Sequence, residues 1–158
     1  HKAIRRQRQM CIRDRLNALI YKRPASVQSV DELPNGMAAV YDREQNAVFV
    51  RRGLSANDLF CGLSKALAQA ELARTGEEYT EENAGFKAQC VSYILGKEFG
   101  VDVSGYAFEA PADFLHTDAP QTIRAELTDI RDTAYDISSR MMRSLEQSKA
   151  PRQSEQER

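Results

Sequence analysis

Spacing of apolar positions divides the chain into four helix-length stretches, with two short strand-like runs between the first and second. Residues 3–22 place Ile4, Cys11, Ile12, Leu16, Leu19 and Ile20 at imperfect helical intervals. Arg23-Pro24 ends that stretch, because proline disfavours the helical conformation in the residue before it. Residues 24–35, bounded by Pro24, Pro34 and Gly36, read as a connecting loop with a short helical turn over Val27–Leu33. Met37–Tyr41 and Ala47–Arg51 then read as strands joined by a polar turn of hairpin length, Asp42 to Asn46. Val48 and Val50 alternate with Phe49, as expected of a strand with two distinguishable faces.

From Gly53 the period changes to that of a helix. Ser55 is placed as an N-cap, with Asp58 favouring the positive helix end. Leu59, Leu63, Leu67, Ala70 and Ala73 form one stripe, and Gly76 is the expected stop. A polar loop over Glu77 to Asn83 leads into a helix from about Glu81 to Phe99 that ends at Gly100. Val101–Phe108 reads as irregular. Thr117-Asp118-Ala119-Pro120 starts a last helix, whose apolar members are Ile123, Leu127, Ile130, Ala134, Ile137, Met141 and Leu145. The expected fold is α+β, a small antiparallel hairpin packed on a bundle of about four helices. The expected divisions are an N-terminal basic helix or arm over 1–23, a folded domain over 24–146 and a disordered polar tail over 147–158.

Composition adds limits. A chain of 158 residues can bury a sizeable single core. No apolar run approaches the roughly 18 residues of a membrane span, and no apolar signal segment follows the basic N-terminus, so a cytoplasmic protein without membrane contact is expected. Three widely spaced cysteines, Cys11, Cys61 and Cys90, fit reduced thiols better than a disulfide framework. The net charge of -1 hides an asymmetry, since residues 1–24 carry eight basic side chains against Asp14 alone. A basic arm on an acidic body is one route to nucleic acid. The Gln9–Arg15 string QMCIRDR also resembles a translated sequencing adapter, and no function is rested on it.

The stretch from Gly53 to Phe108 carries a more specific signal. Its scaffold follows GxSxxxxxxxLxHExxHA and then ExxAESVAYxxxxxxGLDxSxYSF, keeping Gly53, Ser55, Leu63, Ala70, Ala88, Val91, Tyr93, Gly100, Asp102, Ser104, Tyr106 and Phe108. In this it resembles the zincin-like metallopeptidase domain of antirestriction and primase-type proteins on conjugative elements, distant relatives of the ImmA/IrrE peptidases. The resemblance covers roughly Ala38 to Arg140 and implies a zincin-type fold with the hairpin just before the first site helix. It also implies where chemistry would lie. The two histidine positions of the family hold Lys65 and Gln69, the general-base glutamate position holds Ala66, and the distal glutamate position holds Gln89.

Those substitutions remove the chemistry. Two histidines four apart on a helix reach one zinc, and the glutamate between them takes a proton from bound water. A lysine ammonium has no lone pair to donate, and alanine is no base. His1 and His116 lack the spacing to restore the pair. Cys61 and Cys90 offer only two soft ligands and read as small buried hydrophobes. Asp102, Ser104 and Tyr106 read as a loop packed beneath the site helices. The expected state of the vestigial site, Lys65, Ala66, Gln69 and Gln89, is a cross-bonded hollow in which the two glutamine amides meet, with Lys65 beside them or turned to solvent.

The reading is thus a catalytically inactive metallopeptidase-like domain of a bacterial mobile-element protein, acting as an interaction module for a protein partner, with no cofactor and no metal. Two alternatives remain at this stage: a zinc peptidase with relocated ligands, and a nucleic-acid-binding accessory protein using the basic arm.

Overall fold

The structure is a computed structural model that describes residues 11–75, 79–111 and 119–156. In chain order it contains α1 (Ile12–Ile20), β1 (Ser26–Val30), a single 3-10 turn (Pro34–Gly36), β2 (Ala39–Asp42), β3 (Ala47–Arg51), α2 (Ala56–Thr75), α3 (Glu81–Glu98) and α4 (Pro120–Gln156). The fold is α+β, four helices with a small three-stranded sheet among the described residues. None of these helices is long and apolar enough to cross a membrane.

The sheet corrects one expectation. β2 and β3 form the antiparallel hairpin, with Val40 opposite Phe49. The segment read as a loop with a helical turn is instead β1, paired in parallel with β3, so the strand order is β1-β3-β2. Five residues of SVQSV, none fully buried, carry little strand signal of their own. They form a strand because β3 offers a free row of backbone groups, and unmatched groups are costly once covered. β3 is central, with Val48 at 0% and Val50 at 6% exposure.

α2 is the axis of the domain. Ser55 Oγ accepts from the Asp58 amide at 3.1 Å, the expected N-cap. Phe60, Leu63, Ala66, Leu67, Ala68, Ala70 and Leu72 are all buried, because the sheet, α1, α3 and α4 cover different sides of the helix. Gly62 lets β2 approach: a Cβ there would stand 2.8 Å from the Ala38 Cβ. The proposed stop at Gly76 lies outside the described residues.

α3 begins at Thr80, whose Oγ1 accepts from the Asn83 amide, and ends as expected at Gly100, with φ of +71°. There the Val101 amide reaches back to the Gly96 carbonyl at 2.8 Å, which closes the helix and turns the chain.

α1 packs against α2 and α4 rather than standing apart as an arm. Ala18 and Leu19 are fully buried, Arg15 is buried, and Arg23 donates to the Ile20 carbonyl at 3.3 Å. Lys2, Arg5, Arg6 and Arg8 lie outside the described residues. α4 carries Ile130, Ala134, Ile137, Met141 and Leu145 into the core, but Leu127 is 53% exposed. It lies on the side of α4 that also carries Tyr135 and Met142, and lines a shallow hollow with Ile94 of α3, itself 40% exposed. The capping residues Thr117 and Asp118 are outside the described residues. The tail expected to be disordered from Gln147 continues α4 as far as Gln156, and Gln147 Oε1 accepts from the Tyr21 hydroxyl at 2.9 Å. The packed turns before it supply the nucleus, and the helix continues through the tail in spite of Pro151, a poor residue for a helix interior.

Charge also ties α4 to the bundle. Lys87, at 8% exposure, reaches Glu126 at 3.0 Å and Asp129 at 2.9 Å. Burial pulls its pKa down, but the two carboxylates outweigh that and the net shift is upward. Glu71, at 3% exposure, pairs with Arg74 at 2.9 Å and stands 3.9 Å from Arg140.

Candidate functional site

The helical spacing of α2 places Lys65, Ala66 and Gln69 on the side that faces β2 and α3, and α3 adds Gln89. All four predicted positions therefore line one groove of about 620 Å³. β2 forms its other wall through Ala39, Val40 and Tyr41, and Glu81, Glu82 and Glu109 stand along it as an acidic rim. A second hollow, of about 440 Å³, lies on the far side of Lys65 and Gln89, which line both. Asn57, Asp58, Cys61, Asp102 and Tyr106 close that second space.

The two glutamines share the groove but do not bond to one another. Gln89 Nε2 donates to the Ala107 carbonyl at 2.6 Å. The loop beneath the helices thus supplies the acceptor that Gln69 was expected to supply. The Gln69 amide lies over Gly85, where a Cβ would stand 3.7 Å from its Nε2. Lys65 makes no ion pair among the described residues.

Behind this floor is a hydroxyl cluster that the sequence reading passed over. Ser64 and Ser92 are fully buried where α2 meets α3, with their Oγ atoms 2.5 Å apart. Each lies within bonding distance of the Cys61 carbonyl, at 3.2 and 3.1 Å, and Ser92 also bonds to the Tyr106 hydroxyl. Burial pushes the Tyr106 phenol far above its ordinary value, against the opposing bond from Ser92. Cys61 is raised by burial against a bond from Tyr106, and Cys90 is raised by burial as well. Both thiols are therefore weaker nucleophiles than an ordinary cysteine. The available signal was two serines on otherwise apolar faces, beside Leu63 and Leu67 on one helix and Val91 and Leu95 on the other.

The Asp102–Phe108 loop is a structural clamp, as expected. Asn57 bonds both ways to the Asp102 backbone at 3.0 Å, fastening the loop to the first turn of α2. Asp102 Oδ1 accepts from the Ser104 amide at 2.9 Å, and that bond holds its carboxyl below the usual range. Tyr106 and Phe108 pack on Tyr93 with ring centroids 5.9 and 5.3 Å away.

The zinc implied by the resemblance does not fit these residues. Gln89 is turned to a loop carbonyl, Lys65 brings a positive charge to the centre, and no three His, Cys, Asp or Glu side chains converge among the described residues. His1 and His116 lie outside the described residues. What the groove does offer is backbone. The Arg51 amide bonds to the Ala38 carbonyl at 2.9 Å, so by the alternation of an antiparallel ladder Val40 and Asp42 also bond to β3. Ala39 and Tyr41 then turn their backbone groups to the free outer edge, along the groove.

Compared with known proteins, the chain matches no family model, no curated protein and no solved structure.

Proposed function

We propose that this chain is a non-catalytic, metallopeptidase-like interaction module of a bacterial mobile-element protein, which holds an extended segment of a protein partner along the outer edge of β2. The observation that carries the reading is the groove itself. An edge strand with outward backbone groups faces a floor of Lys65, Ala66, Gln69 and Gln89, which offers hydrogen-bond donors and acceptors but no base and no ligand set. An added strand gains main-chain hydrogen bonds from β2 and side-chain contacts from the floor. The resemblance to the zincin-like pattern agrees with the same reading, because Lys65, Ala66, Gln69 and Gln89 fall on its ligand and base positions and sit together in the groove.

Selection from a displayed random-peptide library tests it. Peptides retained by the wild-type protein should lose most of their affinity for a Lys65→Glu variant, and should be recovered intact after long incubation. No binder above background, or binders indifferent to Lys65→Glu, would remove the groove as the interaction surface. Cleaved peptides would overturn the non-catalytic part.

A further inference from the structure

Among the described residues, four of the six exposed large hydrophobic side chains gather on one side of the molecule, away from the groove: Ile94 on α3, and Leu127, Tyr135 and Met142 on α4. Tyr135, at 71% exposure, is the most exposed of the six. Steps of seven and eight residues keep Leu127, Tyr135 and Met142 on one helical stripe, together with Arg131, Ser138 and Glu146. From Leu127 to Glu146 the stripe runs about 30 Å at the helical rise. Isolated exposed hydrophobes need no explanation, but a contiguous stripe edged by charges is the mark of a contact surface.

The order of residues along the stripe says what fits it. About a twofold axis passing between Ser138 and Ser139, residues equidistant from the axis meet in an antiparallel pair of α4 helices. Tyr135 then falls opposite Met142 of the other copy, and Arg131 opposite its Glu146. The small Ser138 side chains lie at the crossing, where two helices approach most closely. Each contact occurs twice, as a twofold interface requires. Among the described residues Arg131 pairs with its exposed neighbour Asp132, at 3.2 Å, a weak surface contact that leaves it able to turn to a second partner. We propose that this face of α4 is a homodimer interface, with two copies of the chain paired antiparallel through Arg131–Glu146 and Tyr135–Met142 contacts.

Sedimentation of the purified chain up to about 0.1 mM, where a dimer of micromolar affinity is fully formed, tests the proposal. The wild-type protein should sediment as a dimer and Tyr135→Glu as a monomer with unchanged far-ultraviolet circular dichroism. Arg131→Glu and Glu146→Arg should each weaken the dimer by about tenfold or more, since like charges then face each other. The double variant Arg131→Glu with Glu146→Arg should restore it, because the pair is rebuilt with its signs exchanged. A monomeric wild type would overturn the proposal. So would a dimer indifferent to Tyr135→Glu, or a charge exchange that fails to restore association.

Discussion

Tyr106 brings a phenol to the junction of two helices and the loop beneath them, where Ser92 receives it and Ser64 shares the same carbonyl of Cys61. Tyr106→Phe removes one member but leaves both serines bonded, so the expected cost at neutral pH is about 1 kcal/mol. The pH dependence is more telling. The folded phenol titrates above its unfolded value of about 10, so its contribution is complete below about pH 10 and is lost as pH rises towards the folded value. Denaturant titrations at about pH 9 and about pH 11 should show a smaller loss for Tyr106→Phe than for the wild type. With Cys61→Ala carried in both proteins, because Tyr106 bonds to that thiol, the other groups shifted upward (Tyr41, Tyr79, Lys87 and Cys90) contribute alike, and equal losses would contradict the placement of the phenol. At this scale Lys65, Gln69 and Gln89 were singled out only through the family resemblance, and the structure shows that they line one groove. The bond from Gln89 to Ala107 was not, since it depends on where a loop carbonyl falls.

Among the elements, α3 shows how local rules and packing divide the work. Its limits follow from Thr80 and Gly100, and its length from the apolar period. Gly96 looks like a weakness by propensity, since glycine in a helix is about 1 kcal/mol worse than alanine. It is needed because the loop folds back on it, and a Cβ there would run into the Val103 side chain. Gly96→Ala is therefore expected to destabilise by about 1–3 kcal/mol despite the better helix former. Thermal and denaturant midpoints would check this, and a stabilised variant would mean that the loop can move away. β1 is the opposite case. Its sequence is neutral, and pairing with β3 makes it a strand.

For the whole molecule, the body is expected to fold without metal, because one apolar cluster joins the sheet to all four helices. A strong chelator should leave the thermal midpoint unchanged, and a large drop would reveal a metal site. The proposed zincin-like ancestry has its own test. Lys65→His, Ala66→Glu, Gln69→His and Gln89→Glu together should give zinc affinity of at least about micromolar, about 8 kcal/mol, if the helix spacing is that of a zincin. A folded quadruple variant that binds no zinc would count against the ancestry. The sequence by itself determined the hairpin and the four helices, because periodicity and caps are local in the chain. Tertiary structure decided the third strand, the burial of α1, the hydroxyl cluster and the direction of Gln89. Each depends on a partner far away in sequence, and a residue's own type does not say which buried group will meet it.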